Sequence, residues 1–416
     1  MLPKIKKIDK VDLLHPEVFY SKKGVEIDSI YAPSGDVVRI SLVFCAGVKY
    51  QSAPFIASAT ANLLSEGCGE YSAMQVAEIL DFYGIYYDVS IDRDYQVITI
   101  CSLGRFCDKA LSLLENIVIR PKFLESECDV YTSKRKEYLK IEKEKMSVRS
   151  REEFVRTIFG QGHDYGKFAK PDDYDNINVG LLKDFYSAYY NRSNLFVAIS
   201  GNVNREIIDA VGEIVDMLPK GENSRRETPQ PEFQAATKRV ENPQSVQSSI
   251  NIGRVLFSRN HPDFVPMQVL STILGGYFSS RLMQNIREDK GYTYGVHAAT
   301  INLQDSGYFI ISTEVVKEFT QSAESEIFKE LEILQNELVS HEELEMVKRV
   351  IIGEMIRVLD GPFGICDVTI ENIQNGVTNH QTEQMIKRIG EITPQDILRI
   401  ANTYLRKEDL TSVVYC

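Results

Sequence analysis

The chain has 416 residues, of which 43% are hydrophobic and 25% are charged, and its formal net charge is −12. This composition is that of an average globular protein and excludes a disordered or fibrous class. The acidic balance argues against a nucleic-acid surface, which needs clustered Lys and Arg to displace counterions from phosphates. A basic partner or basic peptide is compatible with the charge, although acidic surfaces more often serve solubility.

The N-terminal residues 1–19 include basic residues but no apolar core and no small-residue cleavage site, so they do not predict a secretory signal. The seven cysteines form no C-x-x-C pair, which is typical of reduced, mostly buried thiols in a cytoplasm-like compartment. No run approaches the roughly 18 apolar residues of a membrane span. We therefore expect a cytoplasmic protein without membrane contact, with a removed leader as the open alternative.

The predicted elements occur twice in the same order. The first half predicts a strand at 38–44, a hairpin at 86–102, an amphipathic helix at 110–117 and a second helix from Glu125. The second half predicts a strand at 246–252, a hairpin at 294–315, an amphipathic helix at 323–334 and a second helix from Ser340. An acidic cluster suited to the helix dipole opens the second helix in both halves. The repeated order predicts an internal duplication.

A polar segment near the midpoint separates the two halves. Residues 221–231, GENSRRETPQP, contain proline and no large apolar residue, which is typical of an interdomain linker. We predict an N-terminal domain at 1–220, a linker at 221–231 and a C-terminal domain at 232–416. Because strands and helices come in runs rather than in strict alternation, the fold class is α+β and not a doubly wound sheet.

Common catalytic templates are absent from the sequence. The six histidines are never within one helical turn of each other, so neither H-E-x-x-H nor H-x-x-E-H occurs. Zinc hydrolases need two imidazoles on one helix face together with a carboxylate. No G-x-S-x-G elbow, Walker A loop or G-x-G-x-x-G fingerprint is present either.

One segment, residues 279–296, stands out by its pattern. Leu282 and Ile286 share one face of a predicted helix that Gly291 would end, and an aromatic-rich strand follows. Arg287 and Tyr294 then flank a helix-to-strand turn, from which both could project into a cleft. By composition alone, the two residues would more often be ordinary surface side chains.

This segment, S-S-R-L-x-x-x-I-R-E-D-K-G-Y-T-Y-G-V, closely resembles the second-domain signature of the insulinase and pitrilysin family of inverted-zinc peptidases, which includes the mitochondrial processing peptidase. In that family an Arg and a Tyr seven positions apart reach substrate bound at the zinc, and Arg287 and Tyr294 match this pair. Residues 162–166 resemble the family's H-P-Y-G segment, and residues 190–203 resemble its strand ending in G-D/N-V. The resemblance spans about residues 16–416. It implies two homologous domains, each a largely antiparallel mixed sheet with helices packed on one face.

The first-half helix departs from the family pattern. Aligning Gly67-Cys68 with the family's Gly-Thr places Ser58, Ala61 and Asn62 where active members carry ligand, general base and ligand. None of the three supplies an imidazole or a carboxylate. The family's third ligand is a Glu on a later helix, for which the resemblance offers three candidates: Glu137, Glu142 and Glu144. We therefore expect no zinc or other cofactor in this chain.

The resemblance implies a role beside a second chain. Several family members close two chains around a chamber, one with zinc and the other with the Arg and Tyr. On that pattern this chain binds peptide substrate and uses Arg287 and Tyr294 to complete the active site of a homologous zinc-bearing partner. The alternatives are a non-catalytic scaffold in a larger assembly, a module that binds peptides by strand addition without cleavage, and self-association in place of a heterodimer.

Overall fold

The computed structural model describes residues 11, 13–33 and 35–416, so most of the segment considered as a leader lies outside it. The described part of the first half contains six strands and seven α-helices: β1 (Glu17–Tyr20), β2 (Glu26–Tyr31), β3 (Val37–Phe44), α1 (Ile56–Leu63), α2 (Ala73–Tyr83), β4 (Tyr86–Ile91), β5 (Gln96–Leu103), α3 (Cys107–Ile119), α4 (Glu125–Glu144), α5 (Met146–Phe159), α6 (Val179–Tyr189), β6 (Leu195–Gly201) and α7 (Arg205–Asp216).

The second half contains five strands, six α-helices and one π-helix: β7 (Thr237–Val240), β8 (Gln247–Leu256), α8 (Phe264–Gly275), the π-helix (Met283–Asp289), β9 (Thr293–Asn302), β10 (Gly307–Val316), α9 (Thr320–Asn336), α10 (His341–Val358), α11 (Pro362–Gln374), α12 (Asn379–Glu391), α13 (Pro394–Tyr404) and β11 (Thr411–Tyr415). Each predicted strand, hairpin and helix of the repeat has its counterpart here. None of the helices in the described part of the chain combines the length and apolar character that a membrane crossing requires.

Two sheets organise these elements. The first has the strand order β1-β2-β6-β3-β5-β4 and the second β7-β11-β8-β10-β9. Each contains one parallel pair, β2 with β6 and β11 with β7, while its other pairs are antiparallel. Central pairs place apolar residues opposite each other, such as Ile40 with Ile100 and Ile252 with Ile311, all of them buried. The predicted α+β fold with two largely antiparallel mixed sheets is confirmed.

One helix from each half packs on the sheet of the other half. Helix α5 packs on β8 and β11, where Phe154 and Ile158 contact Tyr308 and Val413. Helix α11 packs on β2 and β6 and adds Cys366 to the first core. Each Å² of apolar surface that these contacts remove from water stabilises the fold by about 25 cal/mol. The second face of each sheet is therefore covered by a helix from the opposite half.

The chain between α7 and β7 is fastened to both halves. His163 Nε2 donates to the Pro229 carbonyl at 2.8 Å, while its Nδ1 accepts from the Tyr165 N–H at 3.1 Å. The Thr228 N–H donates to Asp305 Oδ2 at 2.8 Å. The segment that resembles H-P-Y-G therefore holds this connection in place.

A buried charge cluster joins the two halves beside this connection. Lys49 Nζ lies 2.5 Å from Asp94 Oδ1 and 3.6 Å from Asp305 Oδ2. Asp94 lies in the turn between β4 and β5, and Asp305 lies in the corresponding turn between β9 and β10. The Lys49 side chain is fully buried. One ammonium group therefore pairs with a carboxylate from the repeated hairpin of each half.

Asp28 on β2 is a second buried carboxyl group, but it has no cation beside it. It is 3% exposed, and its Oδ2 has no hydrogen-bond partner among the described residues. Burial, and to a lesser degree the nearby Glu26, raises the pKa of Asp28 to about 7 from the usual 3.8. The folded protein keeps this proton where the unfolded chain releases it, so stability falls as the pH rises from about 4 to 7.

Replacing Asp28 by Asn is therefore expected to stabilise the protein by about 1–3 kcal/mol at about pH 8, and by less at about pH 5. Urea unfolding at both pH values measures this difference. The exposed Asp81 on α2 supplies the control Asp81→Asn, for which no such pH-dependent gain is expected. An equal effect of Asp28→Asn at both pH values would contradict the titration argument.

Candidate functional site

Helix α1 carries the three positions that the resemblance assigns to the zinc motif. The Ser58 hydroxyl donates to the Phe55 carbonyl at 3.0 Å, and Asn62 Nδ2 donates to the Ser58 carbonyl at 2.8 Å. Ala61 is fully buried. Both polar side chains are thus engaged with the backbone of their own helix, and none of the three positions offers a ligand that zinc prefers.

The carboxylates of α4 do not replace the metal ligands that α1 lacks. Glu137 and Glu142 each pair with a Lys three residues later at 2.6 Å, and Glu144 is exposed. The α4 residues that line the cavity beside Ser58 are instead Leu139 and Lys143. The α4 face turned toward α1 therefore presents an apolar side chain and a cation, so these residues do not fit a divalent metal.

A cavity of about 870 Å³ opens beside Ser58. Its charged lining consists of six cationic and two anionic residues: Lys49, Arg93, Lys143, Arg156, Lys167, Lys170, Glu152 and Asp164. Arg93 and Arg156 lie over the Phe168 ring, with guanidinium carbons 5.2 Å and 5.8 Å from its centroid. Lys49, Lys143, Arg156 and Lys167 each pair with a carboxylate. Arg93 and Lys170 have no ion pair among the described residues, so they favour anionic groups over a metal ion.

Phe55, at the start of α1, has φ = +67°, which places it in the left-handed region that non-glycine residues rarely adopt. Its ring stacks on Tyr174 with centroids 4.0 Å apart, which stabilises this conformation. The sequence around Pro54-Phe55 carries no signal for such a turn. The turn at Phe55 forms part of the cavity wall, and the sequence did not predict it.

The signature segment of the second half forms the predicted helix and turn. Leu282 and Ile286 are fully buried on one face, as their spacing predicts, and Gly291 ends the helix with φ = +66°. The Gly291 N–H donates to the Arg287 carbonyl at 3.1 Å. The helix winds as a π-helix from Met283 to Asp289, which the sequence does not reveal. Such segments recur at functional sites.

Arg287 lies on the accessible side of this π-helix. Its guanidinium carbon is 4.8 Å from the Phe278 ring centroid, and its Nε is 3.4 Å from Glu288 Oε1. The side chain is one-third exposed, and the Phe278 ring is largely exposed. Arg287 is thus oriented by one aromatic ring and one weak ion pair while its donors stay accessible.

Tyr294 is 95% exposed at the start of β9, an edge strand. The register places Tyr294 and Gly295 opposite the single residue Glu314, which is a β-bulge. Thr293 Oγ1 lies 2.6 Å from the Glu314 carbonyl, and the Thr313 hydroxyl donates to the Gly295 carbonyl at 2.9 Å. Two threonines therefore fix the bulge that directs Tyr294 to solvent. Gly295 inside a strand is the sequence signal that marks such a bulge.

The structure does not bring Arg287 and Tyr294 to the cavity at α1. Every residue lining that cavity lies between Val48 and Lys170, so none comes from the second half. No hydrogen bond joins Arg287 to Tyr294 in the part of the chain that the structure describes. The degenerate motif and the Arg/Tyr pair are therefore two separate features of this chain.

One family model and several known proteins are similar to this chain. Residues 176–351 match the family model described as Peptidase M16 inactive domain. An uncharacterized zinc protease from Rickettsia bellii is 26% identical over 344 residues, which cover 79% of this chain and 80% of that protein. A Helicobacter pylori protein named non-peptidase homolog YmxG is 20% identical over 372 residues, which cover 86% of this chain and 84% of that protein.

Among solved structures, the crystal structure of a peptidase M16 inactive domain from Pseudomonas fluorescens has the same fold. Its TM-score is 0.87 at 22% sequence identity, and the match covers 97% of this chain and 98% of that chain. The likeness in fold therefore extends over both sheets and over the helices exchanged between them.

Proposed function

From the premise that this chain is an M16-family peptidase homologue without metal ligands on α1, we propose that it completes the active site of a homologous zinc-bearing chain. In this proposal it binds peptide together with that partner and supplies Arg287 and Tyr294. The Tyr294 hydroxyl donates to the oxyanion of the tetrahedral intermediate, and Arg287 binds a substrate carbonyl. The activated water that attacks the peptide bond would be supplied by zinc held in the partner chain.

The exposure of Tyr294 carries the proposal. A tyrosine that is 95% exposed, on a bulge fixed by two threonines, has no packing role within its own chain. Fixed donors that meet developing negative charge are the usual source of oxyanion stabilisation. The cavity at α1 has neither metal ligands nor any residue from the second half. The substrate that Arg287 and Tyr294 would reach is therefore one bound at the zinc of a second chain.

The charge of the cavity at α1 supports a role in peptide binding. Arg93 and Arg156 are aligned on one aromatic ring, and Arg93 forms no ion pair among the described residues. Such a site would accept an acidic side chain or a terminal carboxylate of a peptide held by the pair of chains. A scaffold without peptide contact has no need of an unpaired Arg93, whereas Arg156 is already paired with Glu153 at 2.8 Å.

A reconstitution assay tests the proposal. The chain is mixed with a homologue whose sequence carries H-x-x-E-H, and hydrolysis of fluorogenic peptides is measured for each chain alone and for the mixture. We expect hydrolysis only by the mixture, at a rate that a zinc chelator abolishes. Full activity of the zinc-bearing chain alone would contradict the proposal. Peptide binding without cleavage in the mixture would indicate the peptide-binding module, and neither would indicate the scaffold.

A further inference from the structure

Two histidines that are remote in sequence converge on one glutamate at the surface. His15 precedes β1, whereas His380 and Glu383 are three positions apart on α12. His15 Nε2 lies 3.2 Å from Glu383 Oε1, and His380 Nδ1 lies 3.2 Å from Glu383 Oε2. The two imidazole centroids are 4.0 Å apart.

We propose that His15, His380 and Glu383 form a zinc site separate from the degenerate peptidase motif. Imidazole nitrogen and carboxylate oxygen are ligands that zinc takes in tetrahedral sites. With metal–ligand bonds of about 2.0–2.1 Å, neighbouring tetrahedral ligands lie about 3.3 Å apart. Each histidine nitrogen lies 3.2 Å from a different oxygen of Glu383, which is close to this spacing, and the ligand atoms of all three residues lie within 4.8 Å of one another.

The surroundings hold the three ligands in place. The Leu13 N–H donates to Glu383 Oε1 at 3.0 Å, and Asn379 Nδ2 donates to the Leu14 carbonyl at 3.2 Å. These bonds fix the segment that carries His15 against α12. The His380 side chain is two-thirds exposed, so a fourth position is open to water. Within the described residues, no other group of three His, Cys, Asp or Glu side chains converges in this way.

A zinc ion here would bind the segment before β1 to a helix of the second half. It would strengthen a contact that otherwise depends on the burial of Leu13 and a few hydrogen bonds. It would also stabilise the folded protein, because the unfolded chain does not preserve the site. The site lacks the exposed Arg and Tyr donors of the peptidase chemistry, so the effect expected of the ion is stabilisation of this contact. This differs from the expectation, drawn from α1, that the chain binds no metal.

The test measures zinc uptake by the untagged full chain after treatment with a chelator. Isothermal titration with zinc chloride is expected to give one ion per chain, and zinc is expected to raise Tm. His15→Ala and His380→Ala should each abolish both effects. The control His341→Ala removes an exposed histidine on α10 and should retain them.

Both histidines lie at the surface, so each variant is expected to fold. Circular dichroism checks that it does. No zinc uptake by the wild type would overturn the proposal. Uptake that His15→Ala and His380→Ala leave unchanged would overturn it as well, because the ion would then be bound elsewhere.

Discussion

Replacing Tyr294 by Phe is expected to lower kcat of the reconstituted pair by about 10²- to 10³-fold, which is the usual effect of removing one oxyanion donor. The substitution removes only the hydroxyl of a side chain that is 95% exposed and unpaired among the described residues, so the fold and the bulge at Gly295 stay intact. Assembly with the partner should be unchanged, since the aromatic ring remains. Steady-state hydrolysis of a fluorogenic peptide measures the rate, and gel filtration measures assembly.

Tyr20→Phe is the matched control for this experiment. Tyr20 is 63% exposed on the edge strand β1, and loss of its hydroxyl should leave kcat unchanged. Arg287→Lys adds a second arm, because Lys keeps the charge but not the planar fork that binds a carbonyl or carboxylate through two bonds. We expect Arg287→Lys to raise KM more than it lowers kcat. Equal kcat for Tyr294→Phe and the wild type would remove Tyr294 from the chemistry.

Replacing Lys49 by Met is expected to destabilise the protein by about 3–5 kcal/mol, the usual cost of leaving a buried carboxylate without its cation. Lys49 lies between Asp94 and Asp305, whose side chains are 6% and 17% exposed. Methionine fills the space of the lysine stem but cannot neutralise either acid. The free energy of unfolding, measured with urea, gives the loss.

The pH dependence of this variant follows from Asp94. Burial already raises the pKa of Asp94, and Lys49 opposes that rise. Without Lys49, the pKa of Asp94 in the folded protein rises further above its value in the unfolded chain. Stability is therefore lost as the pH rises from the unfolded-state pKa to the folded-state pKa. We therefore expect a larger destabilisation at about pH 8 than at about pH 5.

Lys22→Met is the surface control for the Lys49 experiment. The Lys22–Glu213 pair is 3.0 Å long, but both side chains are mostly exposed. Water and salt screen exposed pairs, so little change in the free energy of unfolding is expected. A similar small effect for Lys49→Met would show that the charge cluster does not hold the two halves together.

Local pattern was sufficient to predict the repeated elements. The amphipathic helix that becomes α9 buries Ala323, Ile327 and Leu331, because apolar residues at helical spacing form one face wherever the helix packs. Leu282, Ile286 and Gly291 behave as predicted for the same reason. Ser58, Ala61 and Asn62 lack ligand groups by identity alone, and no tertiary arrangement adds the missing imidazoles.

The sequence did not predict the packing between elements that are remote along the chain. Nothing in the period of α5 or α11 shows that each packs on the sheet of the opposite half, because an apolar face does not specify its partner. The π-helix at Arg287 also lacks a sequence signal, since a change of helical winding depends on how the segment fits between β9 and α9.

The sequence by itself determined the duplicated α+β fold, the loss of the metal ligands on α1 and the presence of an Arg and a Tyr seven positions apart, because residue identity and spacing are local properties. Only the tertiary structure decided what surrounds them. It left Tyr294 exposed and placed cations beside Ser58. It also brought His15 to Glu383 across 368 positions of sequence, because chain segments meet where burial and hydrogen bonding are satisfied and not where they are near in sequence.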